Sequence, residues 1–212
     1  MLRFIYAADL HRYPELAASM FRGRADQFAI RLGWDVQVCA KGFERDEYDD
    51  LNPLYVIWED AQGRHGGSMR FLPTVGRCMA NEHFSGLMSG PITSPLIWEC
   101  TRFCIASGAG SHVAAALMLG GGQLMRAFAV EHFLGVFDAR MVRIYKRIGA
   151  SPEILGWAGS GRSAIGIGLW HHDETTERLI AKKAGVPAEQ ALDWLHHSMG
   201  DATRHKDLPI SA

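Results

Sequence analysis

Hydrophobic and polar positions change their spacing several times along the chain, and each change predicts a switch between strand and helix. Short apolar runs bounded by turn residues predict strands, whereas apolar positions three and four apart predict helices. An early helix is predicted from Pro14 to Gly33, because proline suits a first turn and glycine a C-terminal cap. The predicted strands are 2–8, 54–60, 66–74, 95–107, 132–138, 153–159 and 164–171. The later predicted helices are 111–130, with Ser111 as N-cap, 139–150 ending at Gly149, and the closing segments "DETTERLIAKKAG" and "PAEQALDWLHHSM".

The order of these elements predicts a single α/β domain with a central sheet flanked by helices. No repeat, linker or low-complexity segment interrupts the alternation, so we assign residues 1–200 to the domain and 201–212 to a polar C-terminal tail. The stretch 95–149 is predicted as strand, helix, strand, helix. That is the order found in the core of acyl-CoA-type transferases.

Composition narrows the class of protein further. The 212 residues carry 22 basic and 23 acidic side chains, which leaves no general footprint for nucleic acid. No apolar stretch approaches the ~20 residues that span a bilayer, and the N-terminus lacks a signal-peptide layout. The cysteines have no C-x-x-C spacing, and the histidines form no metal-binding motif. We therefore expect a cytoplasmic protein with reduced cysteines, no bound metal, no membrane insertion and no nucleic-acid partner.

An arginine lies in the apolar stripe of the first predicted helix. Leu16, Met20, Arg24 and Phe28 are each four residues apart, so they share one helical face. Arg24 either extends along the edge of the core toward solvent or directs its charge into a cleft. The helical pattern leaves both interpretations open.

Three more charged residues lie inside predicted strands. Arg70 is in the strand 66–74, and Glu99 and Arg102 are three apart in the strand 95–107. An odd separation places two side chains on opposite faces of a regular strand, unless a bulge adds one residue between them. Such charges need partners. Either a structural ion-pair network or a functional site would supply them.

A dense acidic segment comes just before a predicted buried strand. The segment "ERDEYDD", from Glu44 to Asp50, has five carboxylates in seven positions, and the apolar run "LYVIW" follows. One interpretation is a solvated loop, and the other is a rim that binds an organic cation. Composition alone does not choose between them.

The sequence lacks the usual signatures of covalent or phosphate-binding chemistry. No G-x-S-x-G nucleophile elbow is present. "SGAGSH" at 107–112 is at most a weak anion-binding turn before a helix. Glycines 120–122 follow a helical pattern and not a strand, so they predict a weakened helix centre and not a phosphate-binding loop.

The chain resembles the LuxI-type acyl-homoserine-lactone synthases, the autoinducer synthases of bacterial quorum sensing. The segments "ADQFAIRLGWDV", "ERDEYDD", "RFLPT" and "WECTRF" stand in the family's order and spacing, and "LGVFDARMVRIYKRIGASPEILG" is also similar to it. Residues beyond about 160 are less typical. The hallmark positions of the family fall on Arg24, Phe28, Trp34, Asp46, Asp49, Arg70, Glu99 and Arg102.

The resemblance implies an N-acetyltransferase-like fold with a mixed sheet and two substrates. These are S-adenosylmethionine, a substrate and not a cofactor, and an acyl group on acyl carrier protein or coenzyme A. No cofactor is implied. The products are an acyl-homoserine lactone, 5′-methylthioadenosine and the free thiol carrier.

The resemblance also implies a role for each hallmark residue. Glu99 is expected to be the general base, with Arg70 and Arg102 orienting it and the acidic loop. Asp46 and Asp49 would face the cationic substrate, with Phe28 and Trp34 covering it. Arg24 would either meet the substrate carboxylate or brace the acidic loop.

Two further sites are expected in the segment 132–149 and the helix before it. Arg140, Arg143, Lys146 and Arg147 form a basic stripe on the predicted helix 139–150, where an acidic acyl carrier protein would dock. Gly135, Met118, Met125 and Met141 are expected to line the acyl pocket. The glycine and the methionines suggest room for a medium or long acyl chain. In the family that the chain resembles, members that select a 3-oxo group tend to have a hydroxyl residue in this segment, and no Ser or Thr occurs between Ala129 and Ala150, so we expect no required 3-oxo group.

Two alternatives share the expected fold. The first is an acetyl-CoA-dependent N-acetyltransferase, although "SGAGSHVAAA" fits its pyrophosphate loop poorly. The second is a non-catalytic sensor of acyl ligands. Neither would release methylthioadenosine from S-adenosylmethionine.

Overall fold

The computed structural model describes residues 1–203 and contains one seven-stranded sheet with helices on both faces. The strands are β1 (Leu2–Tyr6), β2 (Leu54–Glu59), β3 (His65–Pro73), β4 (Ile97–Ile105), β5 (His132–Asp138), β6 (Glu153–Ala158) and β7 (Ile165–His171). The α-helices are α1 (Pro14–Ala25), α2 (Met79–His83), α3 (His112–Phe128), α4 (Ala139–Ile148), α5 (Glu174–Ala184) and α6 (Ala188–Thr203). The predicted α/β class and the strand–helix–strand–helix core are confirmed.

The sheet is mixed, and its centre is a diverging pair of strands. The strand order is β1-β2-β3-β4-β5-β7-β6, and only β4 and β5 run parallel. Their pairing ends at Glu99 opposite Leu134, although β4 continues to Ile105 and β5 to Asp138. Beyond Glu99, therefore, the two strands separate and leave a gap through the middle of the sheet.

Alternate side chains of each strand pack into separate hydrophobic cores on the two faces of the sheet. Helices α3, α5 and α6 cover the face where the main core lies, around Val56, Phe71 and Phe133. Helices α1 and α2 cover the other face, where Tyr55 and Ile57 pack under α1. We refer to these as the α3 face and the α1 face. In residues 1–203 no helix has the length and apolar character needed to cross a membrane.

The triple glycine continues helix α3 and brings it close to the sheet. A Cβ on Gly120 would lie 2.9 Å from Cγ1 of Val56, closer than real carbon atoms approach. A Cβ on Gly122 would lie 3.1 Å from Nδ1 of His172. The glycines therefore cost helix propensity but permit close packing on both sides of α3.

The bulge that would let Glu99 and Arg102 share a face is present in β4. Ser68 of β3 pairs with Cys104 and Arg70 pairs with Thr101, so one residue of β3 stands opposite two of β4. Arg102 has a left-handed φ of 54°, which is uncommon for a residue with a Cβ. The extra residue brings Arg102 to the face that Glu99 and Thr101 share.

One predicted helix boundary is wrong. The first helix changes at Asp26 from α to a π-helical segment, Asp26–Arg31, and does not continue to Gly33. Ser111 is the N-cap residue of α3, as predicted, but its side chain makes no capping hydrogen bond. Helix α6 continues to Thr203, past the predicted domain end at 200, and the rest of the proposed tail lies outside the described residues.

Candidate active site

Arg24 is buried at the centre of an ion-pair network on the α1 face. The residue is 1% exposed. Its two terminal nitrogens each donate to Asp49 at 2.8 Å, and its Nε donates to Glu44 at 2.5 Å. Burial by itself would lower the pKa of Arg24, but the two carboxylates raise it overall. The side chain therefore braces the acidic loop. It neither reaches toward solvent nor has a nitrogen left to meet a substrate.

Asp49 is equally buried and holds four groups together. Besides Arg24, its carboxylate accepts hydrogen bonds from the Tyr55 hydroxyl at 2.6 Å, from Arg70 at 2.9 Å and from the backbone N–H of Asp46 at 2.9 Å. Burial opposes the charge, but these donors keep the pKa of Asp49 well below its usual range. Direct contact between Asp49 and a bound cation is not available in this arrangement.

Asp46 and Arg102 form the part of the network that solvent reaches. Nη2 of Arg102 donates to Oδ2 of Asp46 at 2.6 Å, and Nε donates to Glu44 at 3.1 Å. Arg70 also holds Asp46 through both of its terminal nitrogens. The side chains of Asp46 and Arg102 are 15% and 12% exposed, whereas those of Arg70 and Glu44 are fully buried. A ligand on this face would meet Asp46 and Arg102 first.

The local fold of the acidic segment explains its composition. Asp46 caps the 3-10 turn Glu47–Leu51, and Asp49 accepts back from the Asp46 N–H, which completes a capping box. Glu47 and Asp50 are exposed. The segment is therefore partly solvated, as one interpretation predicted, while Glu44, Asp46 and Asp49 form the acidic half of an ion-pair network. Whether it also binds an organic cation stays a prediction.

Glu99 lies beside this network and caps the short helix α2. Its two carboxylate oxygens accept the backbone N–H groups of Met79 at 3.2 Å and Ala80 at 2.5 Å. Burial raises the pKa of Glu99 above its ordinary value, and these N–H groups and the charge of Arg70 only partly oppose the shift. A buried carboxylate with a raised pKa has the properties of a general base.

Phe28 and Trp34 stack on each other at the edge of the network. Their ring centroids are 5.2 Å apart with an interplanar angle of 11°, and the guanidinium of Arg102 lies 5.4 Å from the centre of the Phe28 ring. Phe28 is buried in the π-helical segment, whereas Trp34 is 40% exposed. Helical segments of this type often occur at functional sites. The aromatic pair offers a flat apolar surface next to the charges.

An apolar cavity lies on the α3 face, where β4 and β5 separate. Its volume is about 130 Å³. Thr101 and Arg102 line it, and the same two residues contact the network: Nε of Arg70 donates to the Thr101 hydroxyl at 3.0 Å. The charged network and the apolar cavity therefore meet at the β4 bulge, through the gap in the sheet.

Three of the four residues predicted for the acyl pocket line this cavity. They are Gly135, Met118 and Met125, whereas Met141 is half-buried on α4 and does not line this cavity. The space that Gly135 leaves is already filled, because a Cβ there would lie 2.9 Å from the ring of Trp170. Gly135 therefore accommodates Trp170 and does not enlarge the cavity.

The predicted basic stripe on α4 is exposed. Arg140, Arg143, Lys146 and Arg147 all face solvent, and Arg140 pairs with Asp138, the N-cap of the helix, at 2.8 Å. Val142 and Ile144 are also more than a third exposed. The helix thus presents positive charge mixed with apolar side chains.

Two network residues escaped the sequence analysis. Glu44 is fully buried between Arg24 and Arg102, yet in the sequence it is simply the first of five carboxylates. Tyr55 was assigned to an apolar strand, and its hydroxyl reaches Asp49. The alternation of the strand was the available signal, since it places Tyr55 on the same face as Ile57, under α1. Within residues 1–203, no cluster of three or more His, Cys, Asp or Glu is arranged to hold a metal ion.

Comparison with known proteins identifies the family. Residues 9–179 match the family model described as autoinducer synthase. The chain belongs to the autoinducer synthase family. It is 37% identical to the acyl-homoserine-lactone synthase of Rhizobium etli, across 91% of this chain and 98% of that protein. It is 33% identical to the acyl-homoserine-lactone synthase of Agrobacterium fabrum, across 68% and 73% of the two chains. Family membership makes this chain an acyltransferase.

Solved structures agree on the fold. A CoA-dependent acyl-homoserine lactone synthase, BjaI, solved with MTA, superposes with a TM-score of 0.78 at 23% identity, covering 88% of this chain and 90% of that one. The AHL synthase LasI superposes with a TM-score of 0.74 at 24% identity, covering 86% of this chain and 94% of that one. An acyl-CoA N-acyltransferase from Pseudomonas aeruginosa gives 0.51 at 16% identity, covering 81% and 99%. The expected N-acetyltransferase-like architecture is confirmed.

Proposed function

We propose that this autoinducer synthase transfers an acyl group from a thioester to the α-amine of S-adenosylmethionine and then closes the homoserine lactone. The other products are 5′-methylthioadenosine and the free thiol of the carrier. The observation that carries this proposal is that a charged network and an apolar cavity adjoin each other at the bulge in β4. The polar network of the α1 face suits a charged substrate, the cavity of the α3 face suits an acyl chain, and the gap between β4 and β5 joins them.

S-adenosylmethionine would bind on the α1 face against Asp46. Its sulfonium and α-ammonium are cations, and Asp46 is the network carboxylate with an exposed side chain. Arg102, rather than Arg24, is the cation available to the substrate carboxylate. The surface of Phe28 and Trp34 would cover the adenine or the sulfonium. Because Arg24, Asp49 and Arg70 are buried, we assign them to positioning these groups.

Glu99 is the proposed base for the first step. An ammonium cannot attack a thioester, so one proton must leave before the amine becomes a nucleophile. Both oxygens of Glu99 already accept a backbone N–H, but a carboxylate has further lone pairs. The raised pKa brings its proton affinity closer to that of the ammonium. The proton passes to Glu99 either directly or through a water molecule.

The acylation step would take place in the gap between β4 and β5. The amine attacks the thioester carbonyl, and collapse of the tetrahedral intermediate expels the thiolate, which takes up a proton. The negative oxygen of that intermediate needs hydrogen-bond donors. Backbone N–H groups of β4 around Cys100–Arg102 are the proposed donors, because the pairing of β4 with β5 ends at Glu99.

Lactone closure would follow without a covalent enzyme intermediate. The substrate carboxylate attacks its own γ-carbon, and the bond from that carbon to the sulfonium breaks to release neutral methylthioadenosine. Holding the two groups in attack geometry supplies much of the rate. The pairing of the carboxylate with Arg102 and of the cation with Asp46 would fix that geometry, because these two side chains are themselves joined at 2.6 Å.

The acyl donor is proposed to be acyl carrier protein or acyl-CoA, bound against α4. The exposed stripe of Arg140, Arg143, Lys146 and Arg147 would attract either an acidic protein or the phosphates of CoA. With Met118 and Met125 in an apolar wall, the cavity would accept medium or long chains without requiring a 3-oxo group. The four cysteines are free thiols, which supports a reducing, cytoplasmic location.

The experiment that tests the function is a direct product analysis. Purified enzyme is incubated with S-adenosylmethionine and a panel of acyl-CoA and acyl-carrier-protein substrates, and the products are identified by mass spectrometry. We expect an acyl-homoserine lactone from at least one donor. Acylation of an unrelated amine without lactone formation would instead support an N-acetyltransferase. Binding without turnover would support a sensor.

A further inference from the structure

One wall of the acyl cavity is polar. His172, Thr176 and Glu177 line the cavity where the end of β7 leads into α5, opposite the apolar residues of β3 and α3. His172 and Glu177 are largely buried, with side chains 19% and 10% exposed. An alkyl chain gives such groups no hydrogen-bond partner, so a polar wall in an acyl cavity needs an explanation.

The polar side chains converge on one carboxylate oxygen. Oε2 of Glu177 accepts a hydrogen bond from Nε2 of Gln123 at 2.7 Å. Nη1 of Arg126 lies 3.5 Å from the same atom, and Nε2 of His172 lies 3.4 Å from it. The closest side-chain contacts of the Glu177 carboxylate are therefore all to Oε2, and its hydrogen bond with Gln123 leaves Oε1 able to accept from another donor.

Gln123 adds a second unmatched acceptor behind this wall. The residue is fully buried, and its Oε1 has no hydrogen-bond partner within residues 1–203. A buried acceptor without a donor is destabilising. The next residue toward the N-terminus, Gly122, has no side chain, and the ring of His172 takes up the space beside it. The wall is thus built around His172, and oxygens of Glu177 and Gln123 remain open to a further donor.

We propose that the acyl group this enzyme transfers carries a hydroxyl remote from the thioester, and that this hydroxyl hydrogen-bonds to the wall formed by His172, Thr176 and Glu177. This inference rests on the proposed function and names its acyl substrate class. A hydroxyl fits better than a ketone, because it donates to the Glu177 carboxylate and can still accept from His172 or Thr176. A ketone only accepts, so it could use His172 or Thr176 but would leave the Glu177 oxygen without a donor.

The position of the wall requires the hydroxyl to be remote. The reacting carbonyl belongs at the gap between β4 and β5, near Gly135. His171, which precedes the wall, pairs with His132, three residues before Gly135 along β5. At about 3.3 Å per residue, the wall lies on the order of 10 Å from the gap along the strand. A hydroxyl on carbon 3, only two bonds from the carbonyl carbon, would not reach it.

The test compares matched acyl donors at constant S-adenosylmethionine. Octanoyl-, 3-hydroxyoctanoyl- and 8-hydroxyoctanoyl-CoA, with the corresponding dodecanoyl set, are offered to the intact enzyme, and kcat/KM is measured from methylthioadenosine release. The same acyl groups on acyl carrier protein extend the set. We expect the terminal hydroxyl to raise kcat/KM about tenfold or more over the plain chain, since hydrogen bonds to charged groups contribute about 1.5–3 kcal/mol.

Variants of the wall residues test whether the wall causes the preference for a terminal hydroxyl. His172→Phe and Glu177→Gln should reduce the preference to less than about threefold, whereas Glu174→Gln, an exposed carboxylate on the same helix, should keep it. Thermal unfolding checks that each variant folds, and Thr176→Val, which removes only a hydroxyl, is the milder second variant. Equal rates for plain and terminal-hydroxy chains, a preference for 3-hydroxy chains, or a preference unchanged in every wall variant would each overturn the proposal. Failure of every donor to release methylthioadenosine would instead overturn the proposed function.

Discussion

At the scale of single residues, neighbouring carboxylates have different tasks because their burial differs. Asp49 is fully enclosed by Arg24, Arg70 and Tyr55, whereas Asp46, three residues earlier, keeps a side chain that solvent reaches. Removing one partner of a buried ion pair leaves an uncompensated charge, whereas an exposed partner is resolvated by water. The two aspartates should therefore differ in what their substitution affects.

Asp49→Asn should destabilise the fold by about 3–5 kcal/mol, because it leaves Arg24 without its bidentate partner. Asp46→Asn should cost less stability but weaken S-adenosylmethionine binding about tenfold, because it removes a negative charge facing a cation. Chemical denaturation and calorimetric titration measure the two effects. Asp50→Asn, an exposed neighbour in the same segment, is the control. If both aspartates affect stability and binding equally, the division of roles is wrong.

Glu99→Gln should lower the rate of acyl transfer at least a hundredfold while S-adenosylmethionine still binds, because the amide cannot accept the proton. Some stability should also be lost, since Gln can no longer accept from both Met79 and Ala80. The matched control is Glu82→Gln. Glu82 lies on α2, the helix that Glu99 caps, and its carboxylate contacts Arg77. If the Glu99→Gln enzyme folds and turns over at the normal rate, Glu99 is not the base and serves only to cap helix α2.

The sequence could identify these residues but not their partners. Charges at Arg24, Arg70 and Glu99 are unexpected in apolar stretches, and that anomaly needs no structure to detect. Which carboxylate each arginine meets depends on how a loop folds over a strand twenty or more residues away. Glu44 and Asp50 look alike in the sequence, yet one is fully buried and the other exposed.

At the scale of elements, irregularities in the first helix and in β4 set the geometry of the site. The bulge in β4 was predictable, because Glu99 and Arg102 cannot otherwise share a face. The π-helical segment Asp26–Arg31 was not predictable, because no glycine or proline interrupts the sequence between Asp26 and Gly33. A π turn differs from an α turn only in the carbonyl that accepts from each backbone N–H. The spacing of side chains indicates which helix or strand face they share, but it does not indicate which backbone hydrogen bonds form.

Helix α4 should be the docking element for the acyl carrier. Arg143→Glu with Arg147→Glu should raise KM for an acyl-carrier-protein substrate about tenfold at low salt, and much less at high salt, because charges across the rim of an interface mainly affect association. The matched control reverses two exposed arginines elsewhere, Arg22→Glu with Arg64→Glu. Steady-state kinetics at several salt concentrations decides the matter. An unchanged KM in the α4 variant would exclude this helix as the docking site.

At the scale of the whole molecule, the sheet separates two environments and joins them at one point. The alternation of each strand places charges on the α1 face and apolar groups on the α3 face, and the gap between β4 and β5 connects them. The order of elements from 95 to 149 predicted this architecture. The gap itself depends on where the pairing of two strands ends, and the sequence of neither strand marks that point.

The stability of the whole molecule should fall as the pH drops from about 6.5 to about 4, because His65 is buried in its neutral form. Burial, helped by the nearby charge of Arg24 and only weakly opposed by Asp60, lowers the pKa of His65 to about 4. In that pH window the unfolded chain binds a proton that the folded chain does not, so the free energy of unfolding decreases. The full effect is about 3 kcal/mol.

Denaturation of the wild type and of His65→Gln across this window measures the contribution. Glu99 acts in the opposite sense, since its raised pKa favours the fold at lower pH, and the difference between the two proteins cancels it. His196→Gln, an exposed histidine on α6, is the control. The free energy of unfolding should depend less on pH in His65→Gln, and it should keep its pH dependence in the wild type and in His196→Gln. Parallel curves for all three proteins would mean that folding does not shift the pKa of His65.

The central claim is that one site acylates S-adenosylmethionine and then breaks its bond to sulfur. The most direct test measures methylthioadenosine, free carrier thiol and acyl-homoserine lactone together in one reaction, with and without the acyl donor. All three should appear in equal amounts, only when both substrates are present, and Glu99→Gln should lower all three together at least a hundredfold. Release of the carrier thiol without methylthioadenosine, or of methylthioadenosine without the acyl donor, would contradict the claim.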